Sequence, residues 1–349
     1  MSLHRIADVA ELRRHLEAAM QLEHATIPPY LTALYSIHPG TNTAAYHVIR
    51  AVVVEEMLHL TLAANLLNAV GGAPDLTRPG FMPTYPAYLP DGETDFQVDL
   101  QCFSQAAIQT FLKIERPARA SDAAARTVRR EKKVQSVRAA RVHDESEEHF
   151  YSIGEFYKAI EDGLVLLHEQ QGDSLFSGDS QRQITPDYYY SGGGEVIPVT
   201  DLDSARAAIR LISEQGEGFE GGIFDYEDEI SHYFRFEQLV LGRYYQPGDT
   251  AGHPSGGPVA VDWGAVYPLK MNPRLTDYPE NSDLRAAAAA FNTQYADFLA
   301  LLTRAFQGEP GLLIEAIGWM FRLKELSYQL MRQPLDQEGT VHAAPTFEL

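Results

Sequence analysis

Apolar residues return at helical spacing along most of this chain, and Pro- and Gly-rich connections divide the pattern into segments. Val9, Leu12, Leu16, Met20, Ile27, Leu31 and Leu34 predict a first helix from Asp8 to about Ile37. Pro28 and Pro29 fall inside it, and each lacks the amide that would bond back to the carbonyl of His24 or Ala25. The pair predicts a kink or irregular turn beside Glu23, the alternative being a helix end with a second helix starting at Pro29. A long helix from about Thr43 to Val70 follows, containing the run AVVVEEMLHLTLAANLLNAV, and Gly71, Gly72 and Pro74 stop it. The next thirty residues are rich in Pro and Tyr and read as an ordered loop over the bundle, with Phe96 to Leu100 alternating as a short strand would. Ser104 is placed to cap a helix carrying Ile108, Phe111 and Leu112 as far as Pro117.

Further apolar helices are predicted from Phe150 to Glu169, from Asp201 to Glu214 and from about Tyr226 to Leu241. Between the first two lies a loop from Gln170 to Thr200, holding DYYY and Gly192 to Gly194, where a hairpin or lid is expected. After a Pro- and Gly-rich loop from Gln246 to Asn281, two more helices cover about Ser282 to Phe306 and Pro310 to Arg332, and the final residues read as a tail. The fold class is therefore all-α: a four-helix bundle with long loop insertions and additional C-terminal helices. Residues 1–245 form the predicted bundle domain, with insertions at about 72–145 and 170–225, and 246–349 form an extension packed on it.

The polar residues on these apolar helices carry the chemistry. Glu56 and His59 stand three apart and share a helix face, as would Glu229 and His232 on the Tyr226 to Leu241 helix. Glu23 and Glu155 each lie against the apolar stripe of another helix. The chain thus supplies one Glu, then Glu-x-x-His, then one Glu, then Glu-x-x-His, the set by which four-helix carboxylate bundles hold two metal ions. Four carboxylates offset two divalent cations, and one imidazole per ion with hard oxygen donors suits iron first, with manganese or a mixed iron–manganese pair as alternatives. Helical phase favours these six over Glu55, Glu227 and Asp228. Tyr30 and Tyr157 fall near the same faces and are candidate hydrogen-bond or electron-relay groups, and His24, one step round the helix from Glu23, is expected to bond to a neighbouring helix.

Composition narrows the function. At 349 residues, 45% hydrophobic and 22% charged, the chain can bury a substantial core, and its net charge of -20 opposes binding to nucleic acid or an anionic membrane. One basic segment dissents: from Lys113 to His143, ten Lys/Arg face three Asp/Glu, read as a solvated insertion helix. A single cysteine, Cys102, excludes an intrachain disulfide and a thiolate metal site, so a cytoplasmic location is the default. The charged amphipathic N-terminus reads as neither signal peptide nor membrane span.

The segments QLEHATIPPYLTALYSI, VVEEMLHLTLAANLLNAVGGAP, FYSIGEFYKAI, QGEG and SHYFRF resemble the ferritin-like domain of the iminophenyl-pyruvate dimer synthase family, known from violacein and rebeccamycin pathway proteins. The resemblance covers roughly residues 8 to 245. It implies a ferritin-like bundle with a metal centre and a link to natural-product oxidation. The expectation is a dioxygen-dependent dimetal oxidase or oxygenase acting on a small organic, amino-acid-derived substrate, with a homodimer as an admissible assembly. Gly72 to Gln101 and Gln170 to Gln215 are long enough to build a pocket and lid over one end of the bundle. The alternatives are a ferroxidase or iron-binding storage protein without an organic substrate, and a metal-free bundle serving as an interaction module.

Overall fold

The computed structural model describes residues 6–90, 95–117, 152–190, 192–219 and 222–349. Most of the basic segment from Lys113 to His143 lies outside the described residues. Eight α-helices are described: α1 Val9–Ser36, α2 Thr43–Ala69, α3 Gln105–Ile114, α4 Ile153–Gln171, α5 Leu202–Glu217, α6 His232–Leu241, α7 Asp283–Phe306 and α8 Leu312–Met331. Their starts follow local chemistry. Asp8, Ser104, Ser152 and Ser282 each accept a hydrogen bond from a first-turn amide, and Asp201 forms a capping box with Ser204.

Among these helices α1 packs on α2, α4 on α5, α1 on α4 and α2 on α5, which closes a ring of four. The short helices α3 and α6 pack on each other, and α6 reaches α2 and α5. The C-terminal pair α7 and α8 lies against α1 and α2, and Phe291, Leu299, Leu326 and Leu330 join the same core as Leu16, Ile49 and Leu62. No helix among the described residues is long and apolar enough to cross a membrane.

Helix α1 runs through both prolines rather than breaking at them. The carbonyl of Ala25, which Pro29 leaves without its amide partner, accepts instead from the Tyr85 hydroxyl at 2.7 Å. Tyr85 belongs to the Pro- and Tyr-rich loop, so that loop completes the helix it covers.

Three expectations need correction. The stretch from Phe96 to Leu100 is no strand; only Val98 pairs, in an isolated bridge with Ala87. The Gln170 to Thr200 loop contains two short 3-10 turns and, among its described residues, no hairpin; Asn65 of α2 holds it through the backbone of Ile184 and Ile197. The final residues are no free tail: Phe347 packs edge-on against Phe291 and Tyr295, and Thr346 bonds to Asn292.

A fourth correction bears on the site. The helix expected from Tyr226 begins only at His232. The Asp225 carboxylate accepts from the amides of both Glu227 and Glu229 at 2.9 Å, Asp228 adopts a positive φ of 62°, and Phe224 bridges Ile230. A side chain that satisfies two amides locally competes with helix formation, so Asp225 to Ile230 is a turn.

Tyr85→Phe is expected to leave the Ala25 carbonyl buried without a partner and to lower unfolding free energy by about 1–3 kcal/mol, measured by urea denaturation.

Candidate metal centre

The site forms where α1, α2, the end of α3 and the start of α6 meet inside the ring. Glu23 from α1, Glu56 and His59 from α2, Glu115 at the C-cap of α3 and His232 at the first position of α6 are all buried. Two overlapping groups could each hold a metal ion: Glu23, Glu56 and His59, and Glu56, Glu115 and His232. Glu56 belongs to both. His59 Nδ1 lies 3.5 Å from Glu23 and 3.7 Å from Glu56, while His232 Nδ1 lies 3.1 Å from Glu56 and 3.4 Å from Glu115. The two imidazoles face one another with ring centroids 5.4 Å apart.

Each imidazole is held from behind. His59 Nε2 bonds to Gln215 Oε1 at 2.9 Å and His232 Nε2 to Glu55 Oε2 at 2.8 Å. When Nε2 carries the proton donated to these oxygens, Nδ1 presents its lone pair to the centre, the arrangement a metal-binding histidine requires. Each carboxylate is oriented too. Thr26 donates to Glu56 Oε2 at 2.7 Å, Tyr157 to Glu23 Oε1 at 2.5 Å, and Tyr30 donates to Glu115.

Charge without counter-ions is costly at this depth. Burial, reinforced by the charges of Glu115 and Glu23, pushes the Glu56 carboxyl up to about 7, although His232 pulls the other way. Burial would lower His232, yet Glu115, Glu55 and Glu56 raise it well above the usual imidazole range, and Glu23 and Glu56 likewise outweigh burial to raise His59. Burial and the adjoining carboxylates raise Tyr30 and Tyr157, which keeps both phenols protonated as donors.

The residues fit a metal pair. His232 Nδ1 is buried with no hydrogen-bond partner, and a cavity of about 10 Å³ lies among Glu23, Glu56, His59, Glu115 and Glu217. An orphaned nitrogen and a small void walled by carboxylates are what ligands shaped around an ion leave behind. Glu217 of α5 adds a further carboxylate to that wall and accepts from the Gly154 amide at 2.8 Å.

Of the six ligands expected from sequence, the structure brings together Glu23, Glu56, His59 and His232. It sets Glu155 and Glu229 apart. Glu155 sits in the first turn of α4 and belongs to neither group; the inward position there goes to Tyr157. Glu229 lies in the turn before α6 with its side chain 62% exposed, paired to Arg235 at 2.8 Å. The i, i+3 rule fails for it because residues 229 to 231 are not helical.

Glu115 was missed, although it carried a signal: Ile108, Phe111 and Glu115 fall on one helical face, so a carboxylate closes an otherwise apolar stripe. Glu55, set aside on helical phase, instead supports His232. Gln215 and Glu217 were legible only as parts of a glycine-punctuated helix end. His24 bonds through Nε2 to Tyr295 Oη of α7 at 2.8 Å, the neighbouring-helix role expected of it.

A family model described as Ferritin-like matches residues 16–241. Dichlorochromopyrrolate synthase of Lentzea aerocolonigenes is 29% identical over 329 residues, which is 85% of this chain and 29% of that protein, so the chain spans less than a third of the relative's length. A crystal structure of a ferritin-like protein from Caulobacter vibrioides aligns with a TM-score of 0.61 at 24% identity, covering 94% of this chain and 96% of the other; this likeness bears on the fold.

Two outcomes are expected. After iron or manganese loading, Glu115→Ala should lose one of the two ions while Glu155→Ala and Glu229→Ala keep both, read as metal per chain by elemental analysis. Second, raised values at Glu56, His59 and His232 mean that the metal-free fold holds protons the unfolded chain has released. Their contribution is present at low pH and lost as pH rises, for Glu56 as it passes about 7. The urea midpoint of metal-free protein should therefore fall between about pH 5 and pH 8, and metal loading should suppress the fall.

Proposed function

Because the chain belongs to the ferritin-like family, we propose that it is a dimetal oxidoreductase that uses dioxygen on a small organic substrate in natural-product metabolism. The observation that carries the proposal is the pair of buried Glu/His groups sharing Glu56. In this reading Glu23, Glu56 and His59 would hold one ion and Glu56, Glu115 and His232 the other, with Glu217 beside them. Iron is the first choice on ligand chemistry, followed by manganese or a mixed pair. Such a pair, when bound, supplies the redox chemistry toward dioxygen.

The chain's own residues prepare that chemistry. Gln215 and Glu55 place acceptors at Nε2 of His59 and His232, so a proton kept there would leave Nδ1 of each ring for an ion. Tyr157 and Tyr30 hold one oxygen each of Glu23 and Glu115, which leaves the other oxygen of each free for an ion. Thr26 does the same for Glu56. Tyr30 and Tyr157, proposed from sequence as catalytic, thus contact the ligand carboxylates directly.

An organic substrate is favoured over iron storage by a cavity of about 990 Å³ next to the centre, far larger than iron or dioxygen needs. Part of its wall comes from the Gln170 to Gln215 segment, through Tyr188 to Tyr190, Gly192 to Gly194 and Gln215. The described residues of the Gly72 to Gln101 segment, expected to share that role, contribute nothing to it. In this reading the protein works in the cytoplasm, with a homodimer as an admissible assembly.

The test is metal content with assembly size. About two ions per chain in wild type, and loss of both in Glu56→Ala, are expected after anaerobic ferrous loading. Fewer than about one ion per chain would refute the proposal, and a large hollow assembly on sizing would transfer it to storage.

A further inference from the structure

The large cavity and the metal centre do not share a wall residue among the five that form the two groups. Its lining is mostly apolar, with Leu31, Val54, Met57, Phe298, Ile317 and Met320 drawn from α1, α2, α7 and α8. Glu23, Glu56, His59, Glu115 and His232 are absent from that lining, whereas Glu55 and Gln215 belong to it. A molecule in the cavity therefore meets the residues that hold the two histidines, one layer out from the Glu/His groups.

Those two residues converge on a single point. Gln215 accepts from His59 through Oε1 and donates through Nε2 to the carbonyl of Gly193 at 2.5 Å. Gly193 has a φ of +74° and lies so close to α2 that a Cβ there would stand 2.6 Å from Glu55 Cγ and 3.0 Å from Glu55 Cα. Glycine is required on both counts. The same loop residue thus touches the support of His59 by hydrogen bond and the support of His232 by van der Waals contact, and it also lines the cavity.

We propose that this cavity binds a largely apolar organic molecule, the substrate class of the reaction proposed above, and that its occupancy is read at the metal centre through Gly193, Gln215 and Glu55. The inference rests on the dimetal reading for its second half only. A displaced Gly193 moves the amide that fixes the His59 ring and the carboxylate that fixes the His232 ring. Coupling of this kind is reciprocal: metal occupancy must change affinity in the cavity by the same factor.

The test uses Nile red as an apolar probe and Zn²⁺ as a colourless metal. Nile red titrated into metal-free and zinc-loaded protein is expected to bind both, with affinities differing by about fivefold or more. Ala51→Trp, which fills the cavity from α2, should weaken the dye by about tenfold; Ala316→Trp fills it from α8 and serves should the first variant not fold. Gln215→Glu keeps an acceptor for His59 but loses the amide that holds Gly193. It should keep its zinc and lose the difference between the two dye affinities. Zinc uptake without dye binding, or dye binding indifferent to both tryptophans, overturns this inference and leaves the dimetal reading standing. Dye binding without zinc uptake overturns the dimetal reading and the coupling together. A zinc-dependent affinity that survives in Gln215→Glu refutes the route through Gly193.

Discussion

The constraint on which this structure depends is the concentration of acidic charge around Glu56. Three carboxylates and two imidazoles sit within the hydrophobic ring, where an unpaired charge costs several kcal/mol. The surrounding groups share that cost. Thr26, Tyr30 and Tyr157 each donate to a carboxylate, and the histidines lie between them, yet His232 Nδ1, beside Glu56 and Glu115, still makes no hydrogen bond. A cluster that remains incompletely satisfied after so many contributions is organised for something other than stability. Two divalent cations would offset these three carboxylates and the adjoining Glu217, and one of them would meet His232 Nδ1.

Much of the architecture serves this cluster. Helix α1 carries Glu23, Thr26 and Tyr30 within two turns, and it keeps its helical path past Pro28 and Pro29, with Tyr85 taking the Ala25 carbonyl that Pro29 exposes. Helix α2 carries Glu55, Glu56 and His59, so one turn provides a shared carboxylate, an imidazole and the support of another imidazole from α6. Helices α4 and α5 complete the ring but give the two groups no ligand; their part is Tyr157, Gln215 and Glu217. Helices α1 and α2 therefore carry both candidate ligands and supports, and the large cavity opens on two of the supports, Glu55 and Gln215.

How far the sequence disclosed the site can be judged residue by residue. Glu23, Glu56 and His59 lie on long helices whose apolar faces are unmistakable, and there helical phase alone aims the side chains inward. His232 was found with the right residue type and the wrong local structure. Its expected partner Glu229 fails because Asp225 caps the amides of Glu227 and Glu229 and holds the chain in a turn. Glu155 fails for another reason: its helix was foreseen, but rotation about the helix axis gives the inward position to Tyr157. Glu115 ends a ten-residue helix, where the apolar stripe is too short to define a face with confidence from spacing alone.

The sequence by itself determined the all-α class, the order and approximate limits of the helices, and the inward faces of α1 and α2. These follow from interactions between residues a few positions apart, which periodicity and capping groups record directly. Only the tertiary structure decided which carboxylates complete the cluster, that Glu55 and Gln215 stand behind the imidazoles, and that Gly193 touches both. Those relations join distant residues: His59 and Gln215 stand 156 positions apart, and Glu55 and His232 stand 177 apart. They depend on how each helix is rotated and how deep it sits in the ring, and no local pattern carries that information. Short helices such as α3 and α6 are oriented by what they pack against, so their contribution to the centre became visible only in the folded chain.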